Sequence, residues 1–246
     1  MKVLSIQNVH KYFGKKIVLK GISFEIEEGE TFVILGKSGQ GKSVLLKIIG
    51  GLLQPDKGKV IILGKDIQSL TEEELYKLRL NMGMVFQMGA LFDFLTIGEN
   101  VAFPLKVHNL LPEEKIKKEV EKYLDYVGLK GTYNKYPHEL SGGMRKRAAL
   151  ARTMIMKPKI VLYDEPTTGL DPVITQEIGS LMKKMTEKFC FTSIVITHDL
   201  KLAFFLADTI AILNNGIFEV VDKPENILKS NNGFVQNFLN AGAFIK

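Results

Sequence analysis

The chain has 246 residues, of which 46% are hydrophobic and 24% are charged. This length fits one large domain, or a domain with a sizeable insertion, and the composition excludes a disordered, collagen-like or low-complexity chain. The single cysteine, Cys190, excludes a disulfide framework and a multi-cysteine metal site, and the net charge of +6 fits phosphate ligands, an anionic membrane surface or simple solubility equally well.

Two features of the sequence bear on membranes. The first eight residues contain no apolar core of signal-peptide length and no small-residue cleavage site, so secretion is not expected. The most apolar stretch, residues 203–213, is interrupted by Asp208 and is shorter than the roughly 20 residues that cross a bilayer. We therefore expect a chain that does not span a membrane by itself.

The first third of the chain alternates short runs of strand-forming residues with glycines. These runs predict strands over residues 3–8, 22–26, 31–35 and 60–63, and a short buried strand over 84–86. Thr71 and Glu74 have the Thr-x-x-Glu spacing of a capping box, in which each side chain bonds the backbone of the other residue. A helix is therefore predicted to begin there.

The middle of the chain is predicted to be helical. Over residues 112–127 the apolar side chains recur every three or four positions, which is typical of an amphipathic helix. A second helix is predicted after Ser141. The last third returns to alternation, with strands predicted over 160–163, 194–197 and 209–213 and helices over 173–188 and 200–207.

This alternation predicts an α/β fold in which helices cover the faces of a parallel sheet. We interpret residues 1–246 as a single domain. Its α/β core comprises residues 1–87 and 157–246, and residues 88–156 form a mostly helical insertion.

A phosphate-binding pattern follows the third predicted strand. Residues 36–43 match G-x-x-x-x-G-K-S/T and precede an apolar helical run. The glycines let backbone N–H groups turn toward a polyphosphate, Lys42 supplies a charge to its β- and γ-phosphates, and Ser43 can ligate Mg²⁺. An ordinary glycine turn is the weaker alternative. The predicted ATP contacts here are Gly36, Lys37, Ser38, Gly39, Gln40, Gly41, Lys42, Ser43 and Val44.

Two adjacent carboxylates, Asp164 and Glu165, end the predicted strand at residues 160–163. Asp164 is predicted to hold Mg²⁺ through the waters of the metal, and Glu165 to polarise the attacking water. Alone this pair is a weak signal, because carboxylates often follow strands as helix caps. Together with residues 36–43 it predicts an ATP-hydrolysing site.

A second anion-binding helix start lies at Leu140-Ser141-Gly142-Gly143-Met144, where Ser141 is placed as an N-cap and two glycines allow a phosphate to approach. One chain already has one phosphate loop, so a second suggests a site that another protomer completes. Here the sequence closely resembles the ATP-binding subunits of ABC transporters, over essentially the whole chain. LSGG is the signature of that family.

The resemblance implies a P-loop NTPase (RecA-like) core with an antiparallel β subdomain and a helical insertion. It also implies site roles. Ser141, Gly142 and Gly143 would face the ATP of the opposite protomer, and Asp171 would lie at the dimer interface. Phe13 would stack on adenine, with Tyr12 adjacent; Gln87 would contact Mg²⁺ or the lytic water; His198 would contact the γ-phosphate. The alternative for Phe13 is a buried core side chain. For Gln87 it is an ordinary polar loop residue, and for His198 it is a structural histidine.

Three stretches, residues 41–47, 86–93 and 142–148, look most like the ATPase of Mla-type phospholipid transporters, which are associated with Mce proteins. Residues 234–239 match the ending of that group only in part. We therefore expect a homodimeric, ATP- and Mg²⁺-dependent subunit, peripheral on the cytoplasmic face of the membrane, that energises an integral permease moving phospholipid between membranes. A Mce-type substrate-binding protein and a small regulatory protein are the further expected partners, and nucleic acid is not.

Two other functions stay open. The same ATP chemistry would serve an importer of a small polar solute such as an amino acid. A soluble ABC protein acting on ribosomes or DNA is less favoured, because such proteins usually carry two cassettes or a long coiled-coil insertion.

Two local patterns carry expectations about exposure. The run of Arg145, Lys146 and Arg147 is interpreted as a solvated helix face. A set of apolar residues near Gln87 is expected to lie partly in the core and partly in a groove for the permease; they are Met88, Leu91, Phe92, Phe94 and Leu95.

Overall fold

A computed structural model describes residues 1–241. Its strands are β1 (Lys2–Phe13), β2 (Lys16–Glu27), β3 (Thr31–Leu35), β4 (Lys57–Ile62), β5 (Lys65–Asp66), β6 (Met82–Val85), β7 (Ile160–Asp164), β8 (Thr192–Thr197), β9 (Thr209–Asn214) and β10 (Ile217–Asp222). Its α-helices are α1 (Lys42–Ile49), α2 (Glu72–Arg79), α3 (Ile97–Val107), α4 (Glu113–Tyr126), α5 (Gly142–Met154), α6 (Pro172–Phe189), α7 (Leu200–Leu206), α8 (Pro224–Leu228) and α9 (Gly233–Ala241), with a short 3-10 helix at Pro137–Glu139.

The strands form two sheets. The larger has the order β10-β9-β3-β8-β7-β6, and every neighbouring pair in it is parallel except β9 and β10. The smaller sheet, β2-β1-β4-β5, is antiparallel throughout. The predicted α/β class, with a parallel sheet and an antiparallel β part, is therefore confirmed.

Strand β3 shows why strands of the parallel sheet could be predicted from the sequence. All five of its residues are buried, because helices or the second sheet cover both of its faces. Val33 and Leu35 join one hydrophobic cluster, while Phe32 and Ile34 join the other. A strand buried on both sides reads as a continuous apolar run, and its carboxyl end delivers the chain into the loop that starts at Gly36.

Several boundaries differ from the prediction. Strands β1 and β2 are each 12 residues long, about twice the predicted length, and shifts of register between Ile6 and Val9 break their alternation of apolar and polar residues. Asn8, at this irregularity, has a positive φ of 50°. Strand β6 ends at Val85 rather than residue 86, so Gln87 lies in the following loop.

The predicted capping box of α2 is present. Thr71 Oγ1 accepts from the Glu74 amide at 3.3 Å, and the Glu74 carboxylate accepts from the Thr71 amide at 2.9 Å. The same device, Thr96 with Glu99, begins α3, a helix that we did not predict. Satisfying the first amides of a helix in this way fixes where the helix begins.

Residues 88–156 carry helices α3, α4 and α5 and no strand. Buried side chains of these helices, such as Val101 and Val120, belong to the same hydrophobic cluster as Val161 under the parallel sheet. The helical region is thus packed on the sheet, and its treatment as a separate subdomain stays a prediction.

Among residues 1–241, none of the helices combines the length and the apolar character that a membrane crossing requires.

Candidate active site

A cavity of about 820 Å³ opens at the carboxyl edge of the parallel sheet, where the segments after β3, β7 and β8 meet. It is lined by Phe13, Lys16, Val18, Lys37, Ser38, Gly39, Gly41, Lys42, Ser43, Val44, Gln87, Glu165, Thr168 and His198. Crevices at the carboxyl ends of parallel strands are where α/β proteins bind ligands. The sequence positions that suggested ATP chemistry, far apart in the chain, are therefore close in space.

The loop before α1 needs its glycines. Gly39 and Gly41 have φ values of +79° and +104°, a region that other residues rarely adopt. A Cβ on Gly41 would also lie only 3.0 Å from Val18 Cγ1 and 3.1 Å from Leu19 Cδ2. No side chain caps the first amides of α1, and no acidic residue lies in its first turn, so these N–H groups point to an anion site.

Lys42 is held under this loop. Its side chain is 7% exposed, and its Nζ donates to the carbonyls of Gly36 at 2.6 Å and Lys37 at 3.1 Å. Burial lowers the pKa of Lys42, and the nearby carboxylates of Glu165 and Asp164 oppose that shift. A buried ammonium beside a phosphate-binding loop is suited to an anionic ligand.

The two carboxylates after β7 have different surroundings. Asp164 Oδ1 accepts from Ser43 Oγ at 3.2 Å, and burial raises the pKa of Asp164. Glu165 Oε1 lies 3.7 Å from Lys42 Nζ, while its Oε2 lies 2.8 Å from His198 Nδ1 and accepts from Thr168 Oγ1 at 3.1 Å. Three groups thus fix the Glu165 carboxylate at the cavity wall.

The backbone at Glu165 is unusual for a residue with a side chain. Its φ is +49°, and its amide donates to the Ile196 carbonyl of the neighbouring strand segment at 2.9 Å. Non-glycine residues in this region cost energy and cluster at functional sites. The turn directs Glu165 into the cavity directly after the strand ends.

Other predicted contacts differ in their placement. Gln87 lines the cavity, and Phe13 lines it with about half of its surface exposed, with Lys11 Nζ 5.6 Å from the ring centroid. Gly36 and Gln40 are not among the lining residues. Gln40 Oε1 instead accepts from the Asn215 amide, and a Cβ on Gly36 would lie 2.6 Å from the Leu213 carbonyl oxygen.

The signature residues lie outside this cavity. Ser141 caps α5 as predicted, with Oγ accepting from the Met144 amide at 3.3 Å. A Cβ on Gly143 would lie 2.7 Å from Ile174 Cγ2, and one on Gly142 would lie 3.3 Å from Leu170 Cδ2. These glycines therefore also allow close packing within the chain, which the motif alone did not indicate.

Asp171 caps the next helix, α6. Its Oδ1 accepts from the amides of Val173 and Ile174, both at 3.0 Å. It does not line the cavity of its own chain.

Two residues at or beside this cavity were not identified from the sequence. Thr168, which bonds Glu165, carried no signal. The prediction of a solvated basic run is wrong for Lys146, which is buried and donates to the Gln87 carbonyl. The helical spacing did indicate that Lys146 is buried, because Lys146 lies three residues after Gly143 and four before Leu150, and both of these are buried. Arg147, by contrast, pairs with Glu177 at the surface.

The fold and this cavity define a P-loop ATPase. The chain belongs to the ABC transporter family, which residues 19–168 match. It is 39% identical over 237 residues to the intermembrane phospholipid transport system ATP-binding protein MlaF of Haemophilus influenzae, covering 96% of this chain and 90% of that protein. It is 41% identical over 232 residues to the methionine import ATP-binding protein MetN of Clostridioides difficile, covering 94% and 72%.

Solved structures similar to this chain support the same family. The protein cbiO1 of Clostridium perfringens, described as part of the ABC transporter complex cbiONQ, superimposes with a TM-score of 0.86 at 31% identity, over 98% of this chain and 95% of that one. An ATP-binding cassette captured as a dimer in a post-hydrolysis state with ADP and Pi gives 0.81 at 36% identity, over 90% and 98%. The protein is therefore the ATP-binding, ATP-hydrolysing subunit of an ABC transporter, as the sequence predicted.

Proposed function

We propose that this ATPase subunit energises the movement of phospholipid between membranes, using the cavity at the sheet edge as its hydrolytic site. The observation that carries the proposed chemistry is the fixed position of Glu165 between Lys42, Thr168 and His198. A carboxylate held this way can accept a proton from a water that attacks the γ-phosphate.

Each neighbouring group has a proposed role. Lys42 and the amides at the start of α1 bind the β- and γ-phosphates. His198 holds the Glu165 carboxylate and contacts the γ-phosphate, and Phe13 at the cavity rim stacks on adenine. These are the groups that positioning and charge stabilisation in phosphoryl transfer require.

The donor set fits Mg²⁺. Ser43 Oγ and Asp164 Oδ1 lie 3.2 Å apart, and Gln87 lines the same cavity. Mg²⁺ prefers a few protein oxygens together with phosphates and water rather than a full protein cage, and the described part of the chain contains no group of three or more His, Cys, Asp or Glu side chains arranged to hold a metal ion by themselves. When bound, Mg²⁺ would neutralise charge that develops on the β- and γ-phosphates.

The active species proposed here is a homodimer in which Ser141, Gly142 and Gly143 of one chain face the ATP held by Lys42 and Ser43 of the other. The position of the signature residues outside their own chain's cavity supports this arrangement, as does the similar cassette captured as a dimer. Asp171 lies at the interface between the two chains.

Mixing two defective chains tests this arrangement. Lys42→Ala and Ser141→Arg homodimers should each be inactive, because every site in them has a defect. A mixed dimer has one site with both defects and one with neither, so the mixture should recover part of the ATPase activity. Activity no higher than that of either homodimer, in a mixture shown by tagged pull-down to contain mixed dimers, contradicts the composite site.

An apolar surface beside Gln87, in the loop that follows β6, supports docking of an integral permease. Met88 and Phe94 are 86% and 78% exposed, whereas Leu91, Phe92 and Leu95 are half-buried, so none of the five lies fully in the core. A neighbouring cavity of about 490 Å³ includes Phe86, Phe92 and Phe103. Exposed apolar patches of this kind mark protein interfaces, so the chain would lie peripherally on the cytoplasmic face of the membrane.

The phospholipid cargo is supported by the MlaF relative and by residues 41–47, 86–93 and 142–148, which resemble the ATPase of Mla-type phospholipid transporters. A Mce-type substrate-binding protein and a small regulatory protein are the further partners proposed. The MetN relative supports a second candidate, import of an amino acid, since its identity to this chain is similar.

Isolation of the chain from detergent-solubilised membranes distinguishes the two candidates. Mass spectrometry should find a permease and enriched phospholipid with the wild-type chain, and neither with Phe94→Asp. Val221→Asp is the matched control, because Val221 is also exposed but lies on β10. A permease accompanied by an amino-acid-binding protein, with no enrichment of phospholipid, would overturn the lipid proposal.

A further inference from the structure

Helix α5 holds the loop that follows β6. Lys146 Nζ donates to the Gln87 carbonyl. Six residues later, the Arg152 guanidinium donates to the carbonyls of Ala90 at 2.7 Å and Gly89 at 2.9 Å. The helix that begins with the signature residues therefore fixes the backbone of the loop that contains Gln87.

The Gln87 carbonyl is the main contact of the buried Lys146 ammonium. The Lys146 side chain is 9% exposed, and no carboxylate within residues 1–241 lies at ion-pair distance from its Nζ. Burial lowers the pKa of Lys146, and the charge of Glu165 opposes that shift. A buried ammonium requires hydrogen-bond acceptors, and the acceptor that it has here is the Gln87 carbonyl.

We propose that Lys146 is a positioning residue for hydrolysis, because its bond to the Gln87 carbonyl keeps the Gln87 side chain at the cavity and ties that side chain to the signature helix. This inference rests on the proposed role of Gln87 in the hydrolytic site. Arg152 holds the far end of the same loop, next to Gly89 and Ala90, and so leaves the carbonyl of Gln87 to Lys146 alone among the described side chains.

The mechanical consequence concerns α5 as a whole. Ser141 begins this helix, and Lys146 follows one turn later. A displacement of α5 relative to the sheet therefore pulls on the Gln87 carbonyl, and a displacement of the Gln87 loop pulls on the signature end. The bond couples the movement of the two parts, which a side chain without a hydrogen-bond donor at position 146 would not do.

Four chains test the proposal by their ATPase kinetics: wild type, Lys146→Met, Gln87→Ala and the double variant. Methionine keeps the volume and removes the donor. We expect Lys146→Met to lower kcat by about 10- to 100-fold with little change in KM for ATP, because small misplacements of positioned groups cost this much. In the Gln87→Ala background the same change should cost less than about twofold, since groups that act as a unit are not additive.

Two further variants separate positioning from general damage. Lys146→Arg keeps a cationic donor and should retain most of kcat. Arg147→Met lies on the same helix, removes only the surface pair with Glu177, and should match the wild type. Thermal unfolding of every variant shows whether each remains folded.

The outcomes distinguish this inference from the function on which it rests. An equal loss of kcat from Lys146→Met in both backgrounds, or a raised KM with an unchanged kcat, overturns the role of Lys146 and leaves that of Gln87 intact. Wild-type kcat in Gln87→Ala overturns the role proposed for Gln87 and, with it, that of Lys146.

Discussion

Gly83 in β6 lies against α5 so closely that one added methyl group should be measurable. A Cβ at this position would lie 2.4 Å from Thr153 Cγ2 and 3.2 Å from Pro158 Cγ. Thr153 is held in place, because its Oγ1 donates to the carbonyls of Met84 at 3.3 Å and Ala149 at 3.0 Å. The other side of Gly83 is fixed by strand pairing with Val161, so neither neighbour can retreat freely.

Overpacking of this kind costs about 1–3 kcal/mol. For a chain of this size each kcal/mol lowers Tm by about 2–4 °C, so Gly83→Ala should lower Tm by about 2–12 °C in thermal unfolding followed by circular dichroism. Gly233→Ala is the control, because Gly233 begins α9 and a Cβ there meets nothing within 4 Å. Its Tm should not fall.

Thr153→Ser tests the cause. It removes Cγ2, the atom of closest contact, and keeps the hydroxyl that bonds Met84. Alone it should cost about 1 kcal/mol for the lost methyl group. Combined with Gly83→Ala it should recover at least about 0.5 kcal/mol relative to the sum of the single changes. Strictly additive losses, or an unchanged Tm in Gly83→Ala, would refute the overlap with Thr153.

Two further substitutions test the hydrolytic site and the buried core. Glu165→Gln should keep ATP binding and lower hydrolysis by about 10²–10⁴-fold, because an amide cannot accept the proton of the water; turnover within a few-fold of wild type would contradict the assignment. Asn100→Leu should lower the free energy of unfolding by about 2 kcal/mol or more in urea titrations, since the buried amide bonds the backbone of Phe92, Leu95 and Thr96 and its loss leaves polar groups unpaired. An unchanged midpoint would show that water replaces those bonds.

The strands of the parallel sheet were predictable where burial on both faces leaves an uninterrupted apolar run, as in β3. Helix α4 was predictable from its apolar periodicity. Helix α3 was not, because Gly98, Asn100 and Pro104 are poor helix formers. Tertiary contacts override these propensities: a Cβ on Gly98 would lie 2.5 Å from the Tyr133 ring, so only glycine lets the helix pack there.

One missed element did have a local signal. Strand β10 returns antiparallel to β9 through Asn215 and Gly216, whose φ values are +48° and +81°. Asn-Gly between two strand-forming runs is the strongest short-range indication of a two-residue hairpin, because both residues tolerate positive φ. The Asn215-Gly216 turn therefore indicates a further strand after β9, which was not among the predicted strands.

A motif indicates which ligand a residue can bind, but it does not indicate which other residues that residue contacts in the folded chain. Glu165 and His198 are 33 residues apart, and nothing in either local pattern indicates that they touch. Contacts of this kind depend on how β7 and β8 pair, so they follow from the fold rather than from the motif.

The start of α5 shows the same limit most clearly. Gly143 packs against Ile174 of α6, the helix that Asp171 caps, so a side chain at position 143 would displace α6 in its own chain as well as any ligand from a partner. A loss of activity in Gly143 variants would therefore not separate an internal packing defect from a damaged composite site. Ser141 is exposed, and within residues 1–241 its side chain bonds only the Met144 amide. An arginine at position 141 removes this N-cap bond, at a cost of about 0.5–2 kcal/mol, but it can extend outward without displacing α6, which is why that position provides the cleaner probe of whether a second chain completes the site.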